Sequence, residues 1–453
     1  MLDSTIANTL SGDYDLICVG FGPASLSIAV ALHDGGVQAR VLFIERQQQF
    51  AWHEGMLLPG THMQISYLKD MATFRNPQSH FTFLNYLHTN NRLVAFTNQS
   101  TFYPLREEFN DYLSWCAAHF DDYVHYGEEV TGVAPASQGT PIKSWKVQSR
   151  KVGSQETVEY TARHVVVAIG GKANIPEEFL NKKRVIHSSQ YMCEVKKMLP
   201  NKDAAYNLAI LGGGQSAVEI FQDLGERYPQ AKTSLILRQP ALRPSDDSPF
   251  VNEIFDPDQV DRFFNLDDNT RREEIRRNQP TNYSVVRLEL IEKVYSEMYR
   301  QRMHDPNEKN WQHRILPLRD ITKVDDKSGK VDLTVTKVRE GVTEAHSDLD
   351  LVVLGTGYKR NMHVGLLEQV KQLAVTENFG VDRNYRVRFH EGAVARDSGI
   401  WLQGCCEATH GLSDSLLSIL AVRGGEMVDS IFHQARKSAS RTPSSSVQLM
   451  AKL

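Results

Sequence analysis

Two glycine-rich turns are the residues of this sequence whose types and spacing most directly indicate chemistry. The first has the spacing Gly20-x-Gly22-x-x-Ser25, between an apolar run and a stretch with helical spacing, and a turn at 212–217 repeats the pattern. In such a strand–turn–helix unit the first glycine permits a tight turn, the second lets the backbone approach a pyrophosphate, and the small third residue lets helix and strand pack closely. The amides of the helix N-terminus then face the phosphates. The spacing predicts that each turn binds a dinucleotide.

The residues that close the strands after the two turns differ, and they predict different ligands. The strand at 39–45 ends in Glu45, at the position where an acid accepts hydrogen bonds from a ribose diol. The strand at 233–238 ends in Arg238, which can pair with a 2′-phosphate that an acid would repel. We therefore expect FAD at the first turn and NADPH at the second, as hydride acceptor and donor. The alternatives are glycine turns without a ligand and a solvated Arg238.

Buried parallel strands must position these turns, each followed by a helix. Apolar runs that predict such strands lie at 14–20, 39–45, 164–171, 207–214 and 233–238. A further apolar run at 349–358 predicts a strand that returns the chain to the first domain. The polar and aromatic stretch at 250–313 predicts a helical insertion near the second nucleotide unit. We expect the turns to bind through Gly20, Gly22, Pro23 and Ser25 for FAD, and through Gly213, Gly214, Gln215 and Ser216 for NADPH.

The composition is that of an ordinary enzyme with more than one domain. The chain has 453 residues, 41% hydrophobic and 23% charged, which is too long for a single core. A net charge of −4 gives no basic field for nucleic acid or an anionic membrane. The five cysteines have no C-x-x-C spacing, which argues against a disulfide framework and a metal site and suits a reducing compartment. The apolar stretch at 16–32 is broken by glycine and proline, so we expect no membrane span.

The ends of the sequence carry two further expectations. The first residues are acidic rather than basic, unlike a secretory signal. The Ser-rich stretch at 437–453 predicts a disordered tail. It ends in Ala-Lys-Leu, one change from the Ser-Lys-Leu peroxisomal address. We expect a cytoplasmic protein, with the peroxisome as the alternative.

Once reduced, a flavin has several uses, and the residues alone do not decide among them. A disulfide reductase needs a redox cysteine pair, which is absent here. The segment 183–191 partly matches the F-x-G-x-x-x-H-x-x-x-[YF] fingerprint of flavin monooxygenases. His187 and Tyr191 fit it, whereas Asn181 and Lys183 replace the Phe and the Gly. A fingerprint and a plain loop both remain open on this match.

Longer motifs make the sequence resemble a known family, the N-hydroxylating flavin monooxygenases, and within it most closely the L-ornithine N5-monooxygenases. The resemblance extends from about residue 13 to 433. The motifs are DLICVGFGPASLSIAVAL, WHEGM, MQISYLKDMATFRNP, FTFLNYL, SPFVNEIF, TNYSVVRLELIEKVY and THGLSDSLLSILAVR. These motifs are far more specific than either glycine turn.

The resemblance implies an α/β fold with two Rossmann-like dinucleotide-binding domains, for FAD and NADPH, and a small helical substrate domain. The expected parts are 1–175 and 349–436 for FAD, 176–250 and 314–348 for NADPH, a mainly helical substrate-binding region at 251–313, and the tail at 437–453.

The resemblance also assigns roles to residues. Lys69 is expected to pair with the α-carboxylate of the amino acid, although it precedes Asp70 and could form a surface ion pair with it. Asn252, Asn282 and Ser418 are expected to hold the substrate amines, with helix capping or packing as the alternatives and Asn282 as the catalytic candidate. The further FAD contacts implied are Glu45, Arg46, Phe50, Trp52, His53, Gln64, Ser415, Leu416 and Leu417, and the further NADP contacts are Arg238, Asn282, Tyr283 and Ser284. Core packing is the alternative for Trp52 and His53.

The activity implied is NADPH- and O₂-dependent N5-hydroxylation of L-ornithine through a C4a-hydroperoxyflavin, the first step of hydroxamate siderophore biosynthesis and iron acquisition. The family also suggests a homotetramer. The same chemistry on L-lysine or a diamine is one alternative, although a diamine lacks the carboxylate that Lys69 is expected to bind. A flavin-dependent NADPH electron-transfer protein is the alternative from another class.

Overall fold

The computed structural model describes residues 13–327 and 329–433. The expected disordered tail at 437–453 and its Ala-Lys-Leu end lie outside these residues. The strands are β1 (Asp13–Val19), β2 (Val41–Glu45), β3 (Val124–Tyr126), β4 (Glu128–Pro135), β5 (Trp145–Lys151), β6 (Thr157–Val167), β7 (Lys172–Ala173), β8 (Val185–His187), β9 (Asn207–Leu211), β10 (Lys232–Ile236), β11 (His313–Leu316), β12 (Arg319–Lys327), β13 (Lys330–Lys337), β14 (Thr343–Leu349), β15 (Leu351–Leu354), β16 (Tyr358–Lys359) and β17 (Gly399–Leu402). The α-helices are α1 (Pro23–Asp34), α2 (Phe83–Thr89), α3 (Leu93–Asn98), α4 (Arg106–Ala118), α5 (Tyr191–Met198), α6 (Gln215–Arg227), α7 (Pro249–Asn252), α8 (Gln259–Phe264), α9 (Asp268–Asn278), α10 (Leu288–His304), α11 (Met362–Leu366), α12 (Glu407–His410) and α13 (Leu420–Val428). Short 3₁₀ turns include Glu54–Met56, Ser188–Gln190, Glu253–Phe255, Gln279–Thr281, Leu412–Ser415 and Leu417–Ile419.

The first glycine turn lies in a seven-stranded sheet, within which β3, β2, β1 and β6 run parallel in that order. The long strand β6 changes neighbours along its length. Its first half is antiparallel to β5, and its second half lies parallel to both β1 and β17. The apolar strands β1 and β2 are buried on both faces, as parallel strands under helices must be. The predicted strand–turn–helix–strand unit is therefore confirmed.

The second glycine turn lies in a separate five-stranded parallel sheet with the order β11-β10-β9-β15-β8. One face packs against α6 and α10, where Leu208 and Ile210 meet Val218 and Val294. The opposite face is covered by the antiparallel sheet β12-β13-β14. Two parallel sheets, each with a glycine turn, confirm the predicted α/β fold class.

The predicted placement of the apolar run at 349–358 is wrong. Its strand β15 pairs with β8 and β9 in the second sheet, rather than returning the chain to the first domain. Without β15, the strand β8 would be detached from that sheet and β9 would lose a neighbour. The crossing to the first domain begins after Leu354, where β16 pairs antiparallel with β7. An all-apolar run of four residues fits the centre of either sheet, so the sequence pattern did not distinguish them.

The helical stretch expected at 251–313 divides between the two domains. Helix α10 buries Val294 in the core of the second domain. Helix α8 faces the C-terminal part of the chain instead, because Phe264 lies 5.2 Å from His410 between ring centroids. Arg383 adds an ion pair with Asp261. The region at 259–278 is thus the part that caps the C-terminal loop.

The C-terminal helix α13 packs directly on α1. A Cβ on Gly424 would lie 2.7 Å from the carbonyl oxygen of Ser27, so only glycine allows this approach. Next to it, Arg423 and Asp414 form an ion pair of 2.9 Å at 2% and 0% side-chain exposure. Gln403 completes the network, since its amide NH₂ donates to Ala24 O and its oxygen accepts from Arg423 Nε. The network fixes the loop before α13 to the first turn of α1.

Breaking this buried pair from one side is expected to destabilise the protein strongly. The change Arg423→Met leaves Asp414 charged and buried without its partner, which costs about 3–5 kcal/mol. Urea unfolding followed by circular dichroism measures the loss. As a control, Arg300→Ala removes a surface pair with Glu297 and should leave the unfolding midpoint nearly unchanged. Equal effects of the two changes would contradict the importance of burial.

Candidate active site

The first glycine turn leaves the N-terminus of α1 open. Gly20 has φ +89°, and a Cβ there would lie 2.7 Å from the carbonyl oxygen of Ala168. Gly22 is the N-cap of α1 and supplies no side-chain hydrogen bond, and nothing lies within 4 Å of where its Cβ would be. Pro23 follows, and the first turn holds no acid. Free amides beside open space form an anion site suited to a pyrophosphate.

Glu45 is held next to this turn by the backbone. Its Oε2 accepts from Phe21 N at 2.7 Å and its Oε1 from Gln47 N at 2.9 Å, and the residue is 6% exposed. Each oxygen keeps a further lone pair for a ribose hydroxyl. Ser25 is fully buried, as the small third residue of the turn must be for helix and strand to pack closely. In the described residues its Oγ has no hydrogen-bond partner.

The second turn has the same construction. Gly212 has φ +132°, and a Cβ there would lie 2.4 Å from Gly355 O. Gly214 is the N-cap of α6, again without a side-chain hydrogen bond and without an acid in the first turn. Ala217 packs against Gly355, where an added Cβ would come within 2.7 Å of it. Gly213 is buried, with its Cβ position 3.0 Å from Gln239 Oε1, and Ser216 is half-buried in the first turn of α6. The amides of this helix N-terminus fit a second pyrophosphate.

Two of the expected NADP contacts have protein partners of their own. Arg238 is exposed just after β10, and its Nε donates to Asp320 Oδ1 at 2.6 Å. The terminal amino groups of this guanidinium are the donors that remain for a 2′-phosphate. Gln215 donates to Glu219 at 2.7 Å and accepts from Arg287 N at 2.8 Å, so its side chain lies along α6.

The segment Asn282–Ser284 joins the two turns. Ser284 has φ +58°, and its Cα lies 3.5 Å from the Cβ position of Gly214. The hydroxyl of Tyr283 donates to Glu407 Oε2 at 2.6 Å. Burial, followed by the contact with Glu407, raises the pKa of Tyr283. The region next to the second turn is thus tied to helix α12, which directly precedes the loop expected to approach the flavin.

Lys69 is half-buried, and the surface ion pair with Asp70 is excluded. Asp70 is 2% exposed and points inward, where it accepts from Ala72 N, Thr73 N, Thr73 Oγ1 and Phe83 N. Within residues 13–327 and 329–433, no carboxylate is recorded within ion-pair distance of the Lys69 amine. The lysine is therefore a cation without a carboxylate in the described part of the chain.

Ser418 also has an unused polar group. It is 4% exposed, and in the described residues its Oγ has no hydrogen-bond partner. Such a buried hydroxyl is unusual without a ligand or water. Arg75 donates to Ala421 O at 3.0 Å, which ties the segment that follows Lys69 to the helix that follows Ser418.

The two asparagines differ in the hydrogen bonds that they form within the protein. Asn252 ends α7 and donates to Asp247 O at 2.8 Å, which leaves its oxygen as an acceptor. Asn282 follows a 3₁₀ turn, and its backbone amide donates to Gln279 O. Both side chains are half-buried.

The other expected FAD neighbours differ in their packing and in their exposure. Phe50 packs 6.1 Å from Phe21 between ring centroids, and Trp52 packs 6.1 Å from Phe109. His53 has φ +50° and its ring lies 5.7 Å from Tyr358, beside the strand that crosses between domains. Arg46 and Gln64 are exposed, and Ser415, Leu416 and Leu417 are half-buried.

Both residues that match the partial monooxygenase fingerprint at 183–191 have protein partners. His187 Nε2 donates to Gly357 O at 3.0 Å, and its Nδ1 accepts from Ser189 N at 3.1 Å. Burial lowers the pKa of His187 and favours this neutral form. Tyr191 donates to Asp223 at 2.5 Å on α6. Both matched residues therefore bind protein groups and connect β8 to its surroundings.

Several groups that shape this site were not predicted from the sequence. Glu407 meets Tyr283 across 124 residues of sequence, and the pair Asp414–Arg423 is only nine residues apart but matches no helix spacing rule. Arg106 joins the domains by two hydrogen bonds to Glu219, at 2.7 and 2.9 Å. In the described parts of the chain no helix is long and apolar enough to cross a membrane, and no cluster of three metal-ligating side chains occurs.

Comparisons with known proteins agree with this geometry. Residues 12–360 match the family L-lysine 6-monooxygenase/L-ornithine 5-monooxygenase. The L-ornithine N(5)-monooxygenase of Ajellomyces capsulatus is 50% identical over 94% of this chain and 92% of its own. The ornithine hydroxylase of Pseudomonas aeruginosa superposes with a TM-score of 0.86 at 37% identity, over 94% of this chain and 100% of that one. The ornithine N-hydroxylase of Kutzneria sp. 744, determined with reduced FAD, NADP⁺ and L-ornithine, gives 0.87 at 35% identity over the same shares.

Two sheets are joined by a short crossing, and in each of them parallel strands lead into a glycine turn at a helix N-terminus. This arrangement defines a protein with two dinucleotide-binding domains. Within that class, the match over most of its length places the chain in the L-lysine 6-monooxygenase/L-ornithine 5-monooxygenase family.

Arg238 is expected to distinguish the two nicotinamide coenzymes. Because only NADPH carries the 2′-phosphate, Arg238→Ala should raise the KM for NADPH about tenfold or more and leave that for NADH nearly unchanged. Steady-state oxidation of both coenzymes measures this. An equal loss for both would remove the 2′-phosphate assignment.

Proposed function

We propose that this chain is an FAD- and NADPH-dependent monooxygenase that hydroxylates N5 of L-ornithine, as the first step of hydroxamate siderophore biosynthesis. The observation that carries the proposal is the connection through Tyr283. This residue lies beside Ser284 at the second turn and hydrogen-bonds Glu407, which begins the helix before the loop proposed to lie at the flavin. The contact brings the proposed NADPH segment next to the proposed flavin loop. The 50% identity to an L-ornithine N(5)-monooxygenase supports ornithine as the substrate.

The proposed cofactor contacts follow the two turns. FAD would be held by the α1 N-terminus and Glu45, with Ser415, Leu416 and Leu417 beside its ring. NADPH would be held by the α6 N-terminus and Arg238, with Asn282, Tyr283 and Ser284 beside it. Bound FAD supplies the redox chemistry that takes the hydride of NADPH and activates O₂.

The substrate contacts proposed here give each ornithine group a complementary partner. Lys69 supplies a cation for the α-carboxylate, and it has no carboxylate partner among the described residues. Asn252, Asn282 and Ser418 supply neutral oxygens for the amines. The reacting amine must be neutral, and a free amine titrates near 10. Exclusion of water from a closed site lowers that value, and Asn282 can orient the neutral amine without a charge of its own.

Assembly and location are proposed from the family resemblance. We propose a cytoplasmic homotetramer. L-lysine is the second candidate substrate, because the matching family includes both amino acids. One methylene changes binding by only about 1–3 kcal/mol.

Product analysis tests the proposed function. NADPH oxidation should be measured with L-ornithine, L-lysine and putrescine, and each reaction analysed for hydroxylamine product and hydrogen peroxide. We expect N5-hydroxyornithine from ornithine, and mainly peroxide from the other two. Faster hydroxylation of lysine would change the substrate, and peroxide alone with all three would overturn the monooxygenase assignment.

Lys69→Ala is expected to weaken ornithine binding. A charge-assisted hydrogen bond contributes roughly 1.5–3 kcal/mol, so the KM for ornithine should rise about ten- to hundredfold. Flavin content and flavin reduction by NADPH should change little, and selectivity against putrescine should fall. Lys196→Ala, on the exposed side of α5, is the control and should leave all four measurements unchanged. An unaltered KM for ornithine in Lys69→Ala would show that this lysine does not bind substrate.

A further inference from the structure

Glu407 lies where three separate segments of the chain meet. It begins α12, just before the loop that carries Ser415 and Ser418. Its carboxylate accepts the Tyr283 hydroxyl across 124 residues of sequence. Arg360, which follows the crossing strand β16, is close enough for its charge to stabilise the anionic form of Glu407. The loop, the segment beside the second turn and the crossing between domains therefore share this one side chain.

The bond between Tyr283 and Glu407 is direct. The Tyr283 hydroxyl donates to Glu407 Oε2 at 2.6 Å. A phenol that donates to a carboxylate makes a charge-assisted bond, stronger than one between neutral groups. The carboxylate of Glu407 therefore determines how firmly the Tyr283 hydroxyl is held.

Keeping this carboxylate here has a cost. Glu407 is half-buried, and burial raises the pKa of its carboxyl group. The negative charge of Asp414 raises this pKa further, whereas the hydrogen bond from Tyr283 and the positive charge of Arg360 lower it. Burying a charge costs free energy, and α12, which carries this one, is only four residues long. Its principal partner is a residue expected at the coenzyme, rather than one in either hydrophobic core.

We propose that Glu407 is a positioning residue of the reaction, which holds Tyr283 against α12, so that the coenzyme-binding segment and the flavin-side loop that follows α12 stay in register. The proposal rests on the proposed function, since it assigns those two segments to NADPH and FAD. It gives Glu407 no direct contact with cofactor or substrate.

Three variants of the full-length holoenzyme test this role. Glu407→Ala removes the acceptor, Tyr283→Phe removes the donor, and Glu407→Gln keeps an oxygen acceptor without the charge. The matched control is Tyr160→Phe, which removes a Tyr–Glu hydrogen bond to Glu128 (3.2 Å) in the antiparallel part of the first sheet. For each we would measure the KM for NADPH, the fraction of oxidised NADPH that yields hydroxyornithine, and the thermal unfolding midpoint.

The positioning role predicts a specific pattern. Glu407→Ala and Tyr283→Phe should each raise the KM for NADPH about tenfold, the loss expected for one charge-assisted bond, and lower the hydroxylated fraction. The double variant should be no worse than either single variant, because both remove the same bond. Glu407→Gln keeps an acceptor but not the charge, so it should recover part of the loss. Tyr160→Phe should behave as wild type.

Three results would overturn it: additive losses in the double variant, a Glu407→Gln as impaired as Glu407→Ala, or an equal change in Tyr160→Phe. If Glu407→Ala does not fold, Tyr283→Phe and Glu407→Gln decide the question, because both are nearly isosteric. Failure of the proposed function would give a different result. Wild-type protein would then form no hydroxyornithine, while the KM for NADPH would still change when the Tyr283–Glu407 bond is removed.

Discussion

The ion pair between Arg423 and Asp414 is the constraint on which the rest of the site depends. Both side chains are buried, so each charge requires the other. Asp414 also accepts from Cys406 N at 2.6 Å, and Arg423 reaches the first turn of α1 through Gln403. The loop expected to carry flavin and substrate contacts is thereby fastened to the helix whose N-terminus faces the first glycine turn. Residues far apart in sequence become one rigid surface.

Around this fixed surface, the second domain is attached by a few directed contacts. Arg106 bonds Glu219 on α6, His187 bonds the carbonyl of Gly357, and the two-stranded pair β7–β16 crosses between the sheets. Met56 and Leu58 add an apolar contact, because both side chains are buried in the core of the second domain. Together these contacts define an orientation, although most of each core belongs to one domain.

Features set by neighbouring residues in the sequence could be predicted, whereas features set by contacts between distant parts of the chain could not. The strands β1, β2, β9 and β10 and both glycine turns were predictable, because apolar runs and glycine spacing are local signals. The place of β15 was not, since Leu351–Leu354 fits the middle of either sheet. Asp70 points inward because four donors from the segment that follows it bind its carboxylate. The sequence did not indicate this, since the adjacent Lys69 suggested an ion pair instead. The partner of Tyr283 was beyond sequence reasoning, because nothing local marks Glu407 among the acids of the chain.

The contact between Arg238 and Asp320 has a consequence for the proposed binding of the 2′-phosphate, because the arginine already has an anionic partner. At such a site a 2′-phosphate would share or displace a carboxylate supplied by β12. Discrimination between the coenzymes would then reflect the difference between two anions for one cation, which is smaller than the full strength of an arginine–phosphate pair. Because both anions are charged and Arg238 is exposed, dissolved salt would enter the same competition. Coenzyme selectivity at this arginine would therefore be a property of the solution as well as of the fold.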